Sequence, residues 1–125
     1  MTENELFFAA KEAVKTLENH KKTLALAESC TGGLVSKLIT DVSGASAVYE
    51  GGVCSYSNSV KMKILGVKEE TLRTFGAVSE NTAREMSQGV RKALGADIGV
   101  GITGIAGPLS DGTNKPVGLI YISVC

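Results

Sequence analysis

Three clusters in the chain carry groups able to do chemistry. The first, Ala27-Glu28-Ser29-Cys30-Thr31-Gly32-Gly33, joins two hydroxyls, a thiol and a carboxylate to a pair of glycines. The second is Tyr56-Ser57-Asn58 followed by Lys61, and the third is Thr103-Gly104-Ile105-Ala106-Gly107-Pro108. A hydroxyl- and glycine-rich turn opening a helix leaves N–H groups unpaired at the positive end of the helix dipole, which suits a phosphate or carboxylate. Thr31, Gly32 and Gly33 are where that anion would sit. The same residues would equally serve a tight turn in which Ser29 or Thr31 merely caps the helix. No lysine follows the glycines, so the pattern is not a nucleoside-triphosphate loop.

Lys61 falls one helical turn after Ser57. A lysine in apolar surroundings titrates low and can act as a base toward a serine; the alternative is a solvated lysine beside Lys63. Cys30 at a helix N-terminus would be acidified, yet without a histidine partner it reads as a small packed residue. His20 is the single histidine, and it lies in the polar stretch Glu18-Asn19-His20-Lys21-Lys22. That placement argues against a Ser-His-Asp triad, and one histidine cannot supply a multi-histidine zinc site. A hydrolase built on this sequence would take its base from Lys, Asp or Glu.

The elements that must position these clusters follow from apolar periodicity. Leu6, Ala10, Ala13, Val14 and Leu17 mark one face of a helix from about Glu3 to Asn19. Thr23 to Ala27 is a short buried strand, and Leu34, Val35, Leu38 and Ile39 give a helix from about Gly33 to Thr40. Val48 to Tyr56 reads as a strand with a bulge at Gly51-Gly52. Ser57-Asn58 starts a helix that Gly66 stops, and a further helix covers Lys68 to Phe75. Ser79 caps the next helix, whose inward residues are Ala83, Met86, Val90, Ala93 and Leu94. Asp97 to Thr103 and Val117 to Cys125 read as strands. Helices alternating with short apolar strands predict an α/β layered domain. In such sheets ligands bind at the carboxyl ends of strands, where the three clusters would converge.

A length of 125 residues fits one domain, and 43% hydrophobic with 21% charged residues is ordinary for a soluble globular protein. Thirteen basic residues balance thirteen acidic ones, which argues against a nucleic-acid partner. No apolar run approaches the roughly 18 residues of a membrane span. A polar, acidic start without a signal-peptide pattern, and three cysteines without a CxxC, point to free thiols in the cytoplasm.

The three clusters, with Gly76-Ala77-Val78-Ser79-Glu80 between the second and third and Lys115-Pro116-Val117-Gly118 after the third, occur in an order that resembles the CinA C-terminal domain family. The resemblance spans nearly the whole chain, residues 1–125. Stand-alone members of that family are nicotinamide-nucleotide amidohydrolases of the PncC type. The resemblance implies a three-layer α/β/α sandwich, hydrolysis of nicotinamide mononucleotide to nicotinic acid mononucleotide and ammonia, no metal or cofactor, and a homodimer. It carries functional roles onto Ser29, Ser46, Tyr56, Lys61 and Thr103. Lys61 becomes the general base and Ser46 the nucleophile, with Ser29 second in line. Tyr56 would stack on or hydrogen-bond the nicotinamide, and Thr103 would bind substrate. Backbone N–H groups near Gly32, Gly104 or Gly107 would serve the 5′-phosphate or the oxyanion. The family domain continues through a further strand and helices bearing a substrate-site arginine, whereas this chain ends at Cys125 and reads as truncated. A non-catalytic nucleotide-binding or regulatory module of the same fold is the alternative.

Overall fold

The computed structural model describes residues 1–125. Helix α1, Glu3–Asn19, starts at Thr2, whose hydroxyl accepts the Glu5 N–H at 3.1 Å. It turns Ala10 and Val14 inward, with Leu6 and Leu17 half-buried; Ala13 stays exposed. Strand β1, Leu24–Glu28, is buried at all five positions. Helix α2, Leu34–Thr40, and a short 3-10 turn over Ala45–Ala47 lead to strand β2, Tyr49–Cys54. Helices α3, Asn58–Leu65, α4, Glu69–Phe75, and α5, Glu80–Leu94, precede strand β3, Ile98–Gly104, and strand β4, Ile120–Val124.

The sheet order is β2-β1-β3-β4; the first three strands run parallel and β4 antiparallel to β3. Successive side chains of a strand face opposite ways, so β1 serves two cores. Leu24 and Leu26 join Ala10, Val14, Ile39, Val42, Ala45 and Val48 on the side of α1 and α2. Ala25 and Ala27 join Leu65, Val67, Met86, Val90 and Ala96 on the side of α3 and α5. The chain is a mixed α/β domain with helices on both faces of a four-stranded sheet.

Small residues on the second face let α5 lie close to the strands. A Cβ at Gly101 would stand 2.4 Å from the Ala83 carbonyl oxygen, and one at Gly89 would stand 1.8 Å from that of Leu65. Only glycine fits at either position. Side-chain caps fix the helix starts: the hydroxyls of Ser57 and Ser79 accept the N–H groups of Val60 and Thr82. Glu85 on α5 ties down the start of α4, accepting the Lys68 N–H at 2.9 Å and the Thr71 hydroxyl at 2.6 Å.

Two expectations shift. The irregularity in β2 falls at Glu50, where the pairing with β1 skips from Tyr49 to Gly51, one residue before the glycine pair. The final strand is shorter than the apolar run Val117 to Cys125 suggests. Gly118 and Leu119 instead bond to Ile105 at 2.7 and 2.9 Å, closing the neck of the loop that joins β3 to β4. No helix is long and apolar enough to cross a membrane. Because β1, β2 and β3 are parallel, the segments that follow them emerge on one side of the sheet.

Candidate active site

A cleft of about 490 Å³ opens at that side. Ser29 and Cys30 line it after β1, and Tyr56, Asn58 and Lys61 after β2. Ala77 and Val78 form a wall between α4 and α5, and Thr103 to Leu109 with Asp111 form the opposite one. The three clusters do meet.

Lys61 is the largest fully buried side chain of the chain, 1% exposed, and it forms no ion pair. Its position on the first turns of α3 aims it under the segment leaving β2. There Nζ lies 2.7 Å from the Ser55 carbonyl oxygen, 3.0 Å from that of Tyr56 and 3.2 Å from Ser29 Oγ. Burial pushes its pKa below the ordinary lysine value, with the nearby Cys30 acting in the opposite sense. A neutral amine has two N–H bonds and one lone pair. As an ammonium the group donates to all three oxygens; once it has lost a proton, the two carbonyls can keep its two N–H bonds and the lone pair faces the Ser29 hydroxyl. The solvated reading of Lys61 is therefore set aside.

Ser29 is 8% exposed and fixed by its own backbone. Its N–H donates to Ile102 and its carbonyl accepts from Gly32, both at 3.0 Å. Cys30 beside it is half-buried, and burial pushes its thiol up, against the pull of backbone N–H groups. It is a protonated thiol near neutrality, packed toward Gly104, where an added Cβ would stand 3.1 Å from its sulfur.

The first turn of α2 behind Thr31-Gly32-Gly33 already holds a carboxylate. The chain's own Glu28 fills the positive end of α2: Oε1 accepts the Val35 N–H and Oε2 the Ser36 N–H, each at 2.9 Å. The Gly32 N–H is committed to Ser29, and Thr31, Gly32 and Gly33 do not line the cleft. Burial works against ionisation of Glu28, but contacts from Thr31, Ser36 and Val35 together hold its carboxyl below the usual glutamate range. The sequence held only part of this signal, an acidic residue ending a buried strand six residues ahead of Leu34. Because the folded pKa is depressed, this carboxylate stabilises the fold fully above the unfolded value of about 4.3, and the gain fades as pH falls through the lower folded value. Glu28→Gln should lower stability at pH 7 by about 1.5–3 kcal/mol. The deficit should shrink in acid, as measured by urea unfolding at pH 7 and below pH 4.

Ser46, which the resemblance makes the nucleophile, stands apart from Lys61. It is exposed in the 3-10 turn that precedes β2, in a shallow depression with Thr40, Val42, Gly44, Ala45 and Tyr49. The neighbouring Val48 carbonyl bonds to Leu24 at the start of β1, whereas Ser29 follows its end. The four residue steps of β1 separate the two ends by ~13 Å. Segments entering and leaving a parallel strand lie at opposite edges of the sheet, so one chain cannot bring Ser46 to Lys61.

Thr103 lines the cleft, but its hydroxyl hydrogen is donated to the Ala77 carbonyl at 2.8 Å. Its role toward a ligand is reduced to that of an acceptor, and it braces the wall. Tyr56 stands at the rim, 81% exposed, with its ring free to lie over a bound ring. Gly104 and Gly107 line the cleft, and the Ala106 and Gly107 N–H groups donate to no atom of the chain. His20 is exposed and bonds to the Thr16 carbonyl at the end of α1, before β1 begins. No three His, Cys, Asp or Glu side chains gather as a metal site.

Residues 7–125 match the model of the CinA C-terminal domain family. A CinA-like protein of Thermotoga neapolitana is 55% identical over 111 residues, covering 89% of this chain and 27% of that protein. The crystal structure of a competence/damage inducible protein from Agrobacterium tumefaciens superposes with a TM-score of 0.91 at 39% identity. It covers 95% of this chain and 72% of that one. A competence-damaged protein (CinA) superfamily structure from Escherichia coli gives 0.94 at 28% identity, covering 99% and 73%. The chain thus spans about a quarter of the length of the curated relatives it matches.

Proposed function

This chain belongs to the CinA C-terminal domain family, and we propose that it is an amidohydrolase that converts nicotinamide mononucleotide to nicotinic acid mononucleotide and ammonia. The observation that carries this reading is the buried, unpaired Lys61 with Nζ 3.2 Å from Ser29 Oγ. A neutral lysine beside a fixed serine is the arrangement that serine–lysine hydrolysis requires.

Ser29 Oγ attacks the carboxamide carbon as Lys61 Nζ takes the hydroxyl proton. The oxyanion is met by the free N–H groups of Ala106 and Gly107. Lys61 returns the proton to the leaving nitrogen, the C–N bond breaks and ammonia departs, leaving an ester on Ser29. Water then attacks the ester carbon, giving its proton to Lys61; the ester bond breaks, Lys61 reprotonates Ser29, and the acid is released. Tyr56 covers the pyridine ring from the rim.

The test is ammonia release from nicotinamide mononucleotide by the purified chain with a chelator present. Ammonia equal to the nicotinic acid mononucleotide formed is expected. Saturable binding without ammonia would replace this reading with a non-catalytic nucleotide-binding module.

A further inference from the structure

The motif Lys115-Pro116-Val117-Gly118 has no part in the chemistry above, yet its lysine is tied into the cleft. Lys115 lies in the 105–119 connection between β3 and β4. Unpatterned loops of this length in small domains are usually functional. Its Nζ donates to the Phe75 carbonyl at 2.7 Å and the Val78 carbonyl at 2.5 Å, some forty residues back along the chain. Phe75 ends α4, so the cation also sits at the negative end of that helix.

Four consecutive carbonyls of the 75–78 wall are each held by a side chain. Lys115 takes Phe75 and Val78, Ser79 and Thr82 take Gly76, and Thr103 takes Ala77. Of these, Lys115 alone reaches the wall from the opposite loop. Within that loop Asp111 accepts the Thr113 N–H and hydroxyl, and the Thr113 hydroxyl accepts the Lys115 N–H. Asp111 lines the cleft, as do Ala77 and Val78. A Cβ at Gly76 would stand 3.1 Å from Lys115 Nζ, so this glycine is where the lysine passes.

We propose that Lys115 is a positioning residue, a latch that fastens the β3–β4 loop to the 75–78 wall and so sets the width of the cleft. Its effect on turnover rests on the amidohydrolase reading; the latch itself does not. The test compares Lys115→Met, which keeps the stem and loses the donors, with Lys115→Arg, which keeps a cation able to meet two carbonyls.

Hydrogen exchange of the unliganded chain reads the latch without any chemistry. In Lys115→Met, the hydrogen-bonded amides of Gly76, Ile105, Lys115 and Gly118 should exchange at least about tenfold faster, those of β1 and β3 should not, and Lys115→Arg should restore most of the protection. With nicotinamide mononucleotide, Lys115→Met should raise KM by at least about tenfold and change kcat by less than about threefold. Unchanged loop exchange in Lys115→Met, or an equal rise throughout the core, would overturn the latch. Loss of loop protection with no ammonia release from the wild type would leave the latch standing and remove only the amidohydrolase reading. If Lys115→Met does not fold, Lys115→Gln, a neutral amide on a shorter stem, carries the same comparison.

Discussion

Ser29→Ala should lower kcat/KM for ammonia release by at least about a thousandfold, while Ser46→Ala should stay within about threefold of the parent chain. The contrast follows from place alone. Ser29 Oγ is 3.2 Å from the only buried amine, and its backbone is pinned on both sides. Ser46 is exposed at the opposite edge of the sheet, away from Lys61. Truncating Ser29 removes a small, nearly buried hydroxyl whose sole side-chain partner is Lys61, so the variant should fold and still bind nucleotide. The measurement is steady-state kinetics of both variants, with thermal melts to show that each is folded. Loss of turnover in Ser46→Ala with retention in Ser29→Ala would reverse the assignment, and would require Ser46 to act on the cleft of a second chain.

The fold was largely legible because its signals are local. The caps Ser57 and Ser79 and the stops Gly66 and Gly95 stand at helix ends where side-chain chemistry predicts them. The meeting of three clusters needed one further rule, that parallel strands end on one side. The placements that local signals left open rest on non-local facts. Whether the positive end of α2 was open depended on Glu28 folding forward onto it, and no spacing rule reports that choice. Ser46 stands apart from the cleft because it precedes β2, a placement its residue type does not report. For Lys61 the sequence left a buried base and a solvated lysine both open, and the choice is made by Ser55 and Tyr56, whose carbonyls close over it. Lys115 escaped for the same reason, since its two acceptors lie about forty residues away.

Lys61→Met should leave less than about a thousandth of the ammonia-releasing activity and give a chain at least as stable as the parent. The two halves of this expectation share one cause. Holding an amine in a buried site with no carboxylate partner depresses its pKa, so between the folded value and the unfolded one, about 10.4, the unfolded chain binds more protons. Stability therefore rises with pH through that window, and the site opposes folding below it. Methionine of similar length fills the volume without that penalty, although it leaves the Ser55 and Tyr56 carbonyls without a donor. In the parent chain kcat/KM should climb with unit slope as pH rises through the depressed pKa, because only the neutral amine can accept the Ser29 proton. Lys61→Arg should be inactive throughout, since a guanidinium keeps its charge across the same range. A Lys61→Arg variant with parental turnover would show that Lys61 holds the serine in place without serving as its base.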